Sequence, residues 1–446
     1  MSGRAHVAFA LLAIACLEIG LTGCGGTSGQ QPKQDPTAVA VTVQVSPSSA
    51  SVKLGHFQPF TAAVTGSTNQ SVLWSVDGIP GGSATVGSIS ASGQYVAPGA
   101  RGSHSITATS VASSGSTNSA SVDVVDVDFA VLTYKYDMTR AGLNSDETTL
   151  TPAGVSSQFG KLFSYTVDGL VFAQPLYMEN INIGGGTHNV IFAATEHDSV
   201  YAFDADSNQA PFWHVNFLDP ANGVTTVPTS IANDPGGRTG LGPEVGITGT
   251  PVIDPSTNTL YVSAMTYENQ QAVHRLHALD VSTGAEKFGG PRVITATVAG
   301  NGDGNDGAGH IPFPSLTQNQ RSGLLLLNGV VYVQFASFSD VHPYHGWLLA
   351  YDALTLQQLG VFNTSPNGEG AGLWQGGAAP AADDNGNIYI TSADGTFDLD
   401  MGGSDYGDTL LKLKFAGNSF SVLDSFTPFN QGCLNFYDLD IGSGGP

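Results

Sequence analysis

A two-strand unit recurs four times between Asn189 and Phe415 and leaves the chain very few architectures. The units read NVIFAATEHDSVYAFDAD, TLYVSAMTYENQQAVHRLHALDVSTG, VVYVQFASFSDVHPYHGWLLAYDALTL and NIYITSADGTFDLDMGGSDYGDTLLKLKFAGN. Each is an alternating apolar run, a polar loop, a second alternating run and a tight turn. Asp204, Asp280 and Asp352 hold one position in the first three, 76 and 72 residues apart. Lys414 takes that position in the fourth, 62 residues on. A β-solenoid would need a shorter and stricter period. Repeats of this length built from short strands predict the four-stranded blades of a β-propeller.

Composition agrees. The 446 residues include 57 glycines and only 11% charged side chains, which suits a turn-dense all-β protein better than a helical bundle. The formal net charge of −23 repels phosphate backbones and favours cations, so nucleic acid is excluded as a partner. Residues 1–24 read as an export signal: Arg4, an apolar stretch over 7–19 broken only by Glu18, then Leu21-Thr22-Gly23-Cys24. The stretch is too short to span a membrane stably. The closing tetrad resembles a bacterial lipobox, which implies lipidation of Cys24, a flexible tether over 25–38 and a membrane anchor of buried acyl chains. Gly25, where Asp would signal retention, implies on the same resemblance the outer membrane of the cell envelope. Only Cys433 then remains, so no internal disulfide framework is expected.

Residues 39–127 form a separate module. Val41, Val43 and Val45 alternate, and FTAAVTG, VLWSVDG, ATVGSIS, GQYVAPG, HSITATSV and SVDVVDV follow at regular spacing, predicting an antiparallel sandwich with Trp74 in its core. The run from SPSSASVKLG to VLWSVDG and the later GSISASGQYVAP resemble bacterial Ig-like modules of the invasin and intimin type. Such modules act as spacers or adhesive stalks; the expected role is a spacer that lifts the next domain off the membrane, with adhesion as the alternative. A boundary falls near 126–130.

The segment that follows carries Tyr136, Asp137, Arg140, Leu150, Thr151, Pro152 and Leu162, and residues 260–284 carry an LYV…LxALDxxTG phrase. Together these resemble the lead-in and repeats of PQQ-repeat, quinoprotein-like propellers, over roughly 131–446. The resemblance implies the fold. In the alcohol dehydrogenases of that class, pyrroloquinoline quinone lies on a tryptophan against a vicinal cysteine disulfide. A calcium held by Glu, Asn and Asp and an aspartate base complete their site. This chain has no adjacent cysteines and no Glu, Asn and Asp set that motif can carry over, so the resemblance places neither quinone nor base on named residues here.

The expected fold class is therefore all-β: an Ig-like sandwich followed by a partial propeller. Inner strands are predicted at 173–177, 249–253, 323–327 and 377–381. Loops on one face of the disc are short (254–258, 282–284, 328–329, 383–387), and those on the other are long (233–246, 266–273, 301–312, 337–346, 363–377, 393–408). Long loops on a compact scaffold carry function, so the elaborated face is the place to look. There His342 and His345 offer two imidazoles to a shared ligand, with Tyr344 and Trp347 as pocket walls or, alternatively, a fixed turn and core. His197, Glu244, His310 and Trp374 are expected to line a central channel with His345. Two oxygen-rich loops are candidate calcium sites, Asp303, Asn305 and Asp306 in one, Asp398, Asp400, Asp405 and Asp408 in the other. The EF-hand template fails in the first, at Asp306 and Pro312. Residues 438–446 read as the start of a fifth inner strand, so the chain is expected to be a piece of a longer protein. No GxSxG and no phosphate-binding loop is present. The expected role is a non-catalytic propeller that binds a protein or glycan at the envelope; the alternative is a dehydrogenase using quinone and calcium.

Overall fold

The computed structural model describes residues 40–53, 56–125, 130–144, 150, 152–230, 242–439 and 441–446. The leader with Cys24, the tether, Thr151 and most of the loop over 233–246 lie outside them. Among the described residues no helix is long and apolar enough to cross a membrane. The chain divides into two compact units, Met1–Val125 and Asp126–Pro446.

In the first unit, Thr42–Ser46 buries Val43 and Val45 and exposes the residues between them, as its alternation predicts. A five-stranded sheet runs Ser49–Lys53, Thr117–Val125, Gly102–Ser110, Val72–Val76 and Ile79–Pro80. Phe57–Pro59, Gln94–Val96, Gly87–Ile89 and Gly82–Ser83 form a four-stranded one. Phe60, Trp74, Tyr95, Ile106 and Val122 share one core. The expectation of purely antiparallel pairing is corrected at one place: Ser49–Lys53 runs parallel to Thr117–Val125. The turn at Pro47-Ser48 carries the chain from pairing with Thr61–Thr65 to the edge of the last strand.

Among the described residues the second unit contains four antiparallel sheets of four or more strands in chain order, a propeller-like arrangement, besides one two-stranded ribbon. Blade I is Leu176–Ile183, Gly186–Ala194, Ser199–Asp204 and Trp213–Asn216. Blade II is Val252–Asp254, Thr259–Glu268, Gln271–Asp280 and Arg292–Val293. Blade III is Leu325–Leu327, Val330–Ser337, Trp347–Asp352 and Gln358–Asn363. Blade IV is Ala381–Ala382, Asn387–Thr391, Leu410–Ala416 and Ser419–Phe426.

The repeated aspartate has a local cause. Asp204, Asp280, Asp352 and Lys414 stand on one rung, opposite Val190, Thr259, Val330 and Asn387. Each aspartate accepts two backbone N–H groups just beyond the strand: Asp206 and Ser207, Ser282 and Thr283, Leu354 and Thr355. Such Asx turns satisfy donors that leave the ladder. Blade IV needs no carboxylate there, because Gly417 and Asn418 both take left-handed φ and close a two-residue hairpin.

Three expectations change. Residues 266–273 are not a loop: the two strands run on to Glu268 and Gln271, and Asn269-Gln270, both at positive φ, form the turn. An Arg275–Glu268 ion pair ties the extended hairpin. The loop over 301–312 ends in a ribbon, Thr297–Ala299 against His310–Pro312. The inner strands of blades II to IV are shorter than predicted, Val252–Asp254, Leu325–Leu327 and Ala381–Ala382, while that of blade I is longer and starts later, Leu176–Ile183; the lead-in hydrogen-bonds beside three of them. Ala130–Val131 pairs with the start of blade I. Leu132 O accepts Ile253 N of blade II at 2.8 Å, and Met138 O accepts Ala382 N of blade IV at 2.8 Å.

Arg140 locks this lead-in. It is buried, and its guanidinium donates to Thr133 Oγ1 (2.7 Å), Tyr134 O (2.9 Å), Asp137 O (3.0 Å), Pro380 O (3.0 Å) and Leu324 O (3.4 Å). Burial lowers its pKa to about 10, so it stays charged at neutral pH.

Candidate functional site

Residues just before the inner strands of blades II, III and IV line a cleft: Thr248 and Thr250, Arg321, and Trp374 with Gly376 and Gly377. Arg321 precedes the inner strand of blade III, and Trp374 precedes that of blade IV. The Arg321 guanidinium lies 5.5 Å from the centre of the Trp374 ring, a cation–π distance. Arg321 borders two hollows. One is lined by Asn319, Ser337, Asp340, Gly372 and Trp374, the other by Tyr134, Gln174, Thr248 and Thr250. Tyr134 belongs to the lead-in, so the segment that Arg140 ties to the residues before blades III and IV also contributes to this site. Among the described residues Arg321 makes no hydrogen bond and no ion pair, although its charge reaches Glu196.

A buried polar layer adjoins the cleft. Gln334 Nε2 donates to Ser322 Oγ (2.6 Å) and to Gln375 Oε1, and Gln320 Nε2 donates to Ser322 O at 2.5 Å. Among the described residues Asn319 Oδ1, Gln320 Oε1, Gln334 Oε1 and Gln375 Nε2 have no hydrogen-bond partner. Buried polar atoms almost always find one, so these are donors and acceptors on offer to solvent or ligand.

Two acids sit at the rim of blade I. Glu196 Oε2 accepts Gly246 N at 2.8 Å. Among the described residues its other oxygen and both oxygens of Asp198 have no hydrogen-bond partner, and both residues are fully buried. A Cβ at Gly246 would stand 2.3 Å from Glu196 O and 2.9 Å from Asp198 Cγ, so only glycine fits between them. Burial raises Glu196 to about 7, with the Glu244 charge adding to it. Burial, then Glu196 and Glu244, hold Asp198 well above the ordinary carboxylate range.

The predicted channel set does not assemble. His197 Nδ1 sits 3.1 Å from both Glu244 oxygens, so these two engage each other. His310 is on the ribbon and pairs with Asp306 at 3.2 Å. His345 is buried, with Nδ1 2.8 Å from Ser365 Oγ and Nε2 2.7 Å from Asp303 O; burial lowers its pKa. Tyr344 and Trp347 are core residues. Trp374 is the one member that reaches the cleft. His342 and His345 cannot share a ligand, because both ring nitrogens of His345 are already taken.

The calcium loops are also self-engaged. Asn305 accepts Gly307 N and donates to Gly302 O, and Asp306 accepts Ala308 N and His310 N. Asp398 accepts Asp405 N, Asp405 accepts Asn367 N, and Asp408 accepts Gln431 Nε2. Asp400 lies on a short 3-10 turn, Leu399–Met401. These side chains shape their loops rather than converge on an ion. Asp303 differs: with His342 and Glu369 it forms the only three-membered group of metal-ligand type among the described residues.

Asp168, Ser199 and His214 have triad composition but not triad order. Buried Ser199 donates to Asp168 (2.5 Å) and also meets His214 Nε2 (3.0 Å) and Asn216 Nδ2 (2.8 Å), so the acid orients the serine and not the imidazole. Neither Arg321 nor Glu369 was singled out from sequence. The one available signal for Arg321 was a lone cation at an inner-strand start in a strongly acidic chain.

The fold defines an all-β, propeller-like protein. No family model and no curated protein matches the chain. Among solved structures it is similar to a quinohemoprotein alcohol dehydrogenase, ADHIIG of Pseudomonas putida HK5, at 14% identity and a TM-score of 0.36. The match covers 59% of this chain and 35% of that one, so it spans about a third of that enzyme's length. Among the described residues no vicinal disulfide is present, and no group of three possible metal ligands includes a neighbour of the Arg321–Trp374 pair. Cys433 is exposed and unpaired. Among the described residues the rim acids Glu196 and Asp198 belong to no group of three ligands.

Proposed function

We propose that the second unit is a non-catalytic binding domain of an exported, lipid-anchored envelope protein, and that it holds a glycan in the Arg321–Trp374 cleft. The first unit, on this reading, is an Ig-like spacer. One observation carries the proposal: a partly buried arginine that makes no hydrogen bond or ion pair among the described residues lies over an indole in a small cleft with Asn319, Ser337 and Asp340 at its edge. An indole face packs against the C–H face of a sugar ring, and a guanidinium fork with amide, hydroxyl and carboxylate neighbours matches ring hydroxyls. A protein partner would need a contact of roughly 800 Å² per side, far more than this cleft supplies.

The test is a glycan array followed by calorimetry on the full chain carrying Cys24→Ser. Trp374→Ala and Arg321→Ala should each abolish the binding; unchanged affinity in both variants overturns the proposal. A second reading, a quinone enzyme, has the same indole and guanidinium in its favour, because they also suit a flat, carboxylated ring. Stoichiometric quenching of tryptophan fluorescence by the quinone, together with dye reduction, would replace the glycan reading. Metabolic labelling with a clickable fatty acid, lost in Cys24→Ala, tests the anchor.

A further inference from the structure

We propose that Asp303, His342 and Glu369 form a site for a divalent first-row metal, with zinc the best fit. The three ligands come from three successive loops of the elaborated face: 300–309, 338–346 and 364–380. Their donor atoms all lie within 4.8 Å of one another. Two donors each about 2.1 Å from a shared ion stand at most about 4.2 Å apart, so closure needs only small side-chain rotations. His342 Nδ1 is 2.7 Å from Asp303 Oδ2 and 3.8 Å from Glu369 Oε2.

The backbones that carry these ligands are already laced together. Asp303 N donates to Gly368 O at 2.8 Å, and Gly302 N to Pro366 O at 3.0 Å. The His345 ring holds Asp303 O. Gly370 N donates to Tyr344 O, and Thr396 N to Glu369 O. The approach depends on missing side chains: a Cβ at Gly302 would lie 2.3 Å from Gly368 O, and one at Gly368 would lie 2.3 Å from Thr396 Cβ. The ligands are thus preorganised, which lowers the cost of binding.

A histidine–aspartate hydrogen bond alone would account for His342 and Asp303. It would not account for Glu369, a second carboxylate brought to the same imidazole. Among the described residues no lysine or arginine forms an ion pair with either acid. A cation offsets the like-charge repulsion that this leaves. One imidazole nitrogen and two carboxylate sites are too few for calcium, which takes six to eight oxygens. They suit zinc or manganese with positions left for water or an incoming ligand. The side chains of His342 and Glu369 are open to solvent, so those positions are reachable.

The inference stands apart from the glycan reading, since neither Arg321 nor Trp374 takes part. The test is calorimetric titration of zinc chloride into the chelator-treated full chain (Cys24→Ser, no histidine tag). One saturable site is expected. His342→Ala and Glu369→Ala should each weaken it at least tenfold, and Asp306→Asn should leave it unchanged. Cobalt substitution should give visible d–d bands that disappear in His342→Ala, with unaltered circular dichroism showing that the variant is folded. Absence of saturable binding by zinc or manganese, tighter binding of calcium than of zinc, or indifference to both alanine variants overturns the proposal.

Discussion

Replacing Glu196 by glutamine removes a titration that folding imposes. In the unfolded chain this carboxyl ionises near its ordinary value of 4.5; folding buries it beside Glu244 and raises it to about 7, against the opposing Gly246 N–H. A raised acid holds its proton more tightly in the folded state. Its stabilising contribution is therefore complete below about pH 4.5 and is lost as pH rises through about 7. At about 1.36 kcal/mol for each pH unit between the two values, the full loss is about 3 kcal/mol. Some of it is gone by pH 5, which leaves about 2.5 kcal/mol to disappear between pH 5 and pH 8. Glutamine keeps the shape and an oxygen for Gly246 N but does not titrate. The assay is urea unfolding at pH 5, 6, 7 and 8, followed by tryptophan fluorescence. The parent should lose about 2.5 kcal/mol relative to Glu196→Gln over that range, and the two should converge towards pH 5. Parallel curves would show that Glu196 is not buried as a shifted acid, and the account of the rim would fall.

Other outcomes follow from the same geometry. Arg140→Ala removes the donor to five acceptors and should cost about 3 to 5 kcal/mol; a loss under about 1 kcal/mol in chemical denaturation would mean that the lead-in does not tie the blades. Gly246→Ala drives a methyl into Glu196 O and Asp198 and should cost about 1 to 3 kcal/mol, read as a lower midpoint in thermal unfolding. Asp280→Ala strips two backbone N–H groups of their acceptor and should cost about 1 to 2 kcal/mol. Lys414→Ala on the equivalent rung should change little, and a reversed order in the same denaturation series would refute the Asx-turn explanation of the repeat.

The chain settles much of its fold through neighbours a few residues apart. Alternation fixes which face of Thr42–Ser46 is buried, and in three of the four blades an aspartate closes its own turn at the strand end, so the blades and their shared rung are legible without coordinates. The hairpin at Asn269-Gln270 escaped because two non-glycine residues adopt the left-handed conformation there, and neither asparagine–glutamine nor its flanks carry a turn signature. The site is different in kind. Arg140 meets partners 184 and 240 residues away, and Arg321 meets Trp374 only because two inner strands start side by side. His342 and His345, three residues apart, diverge because one ring is captured by Ser365 and the backbone of Asp303, while the other stays outside on the Asp303 carboxylate. Strand and turn energetics act over short stretches of chain, so the sequence by itself determined the blades. Which loops meet above them depends on how the blades close around the lead-in, and only the tertiary structure decided that.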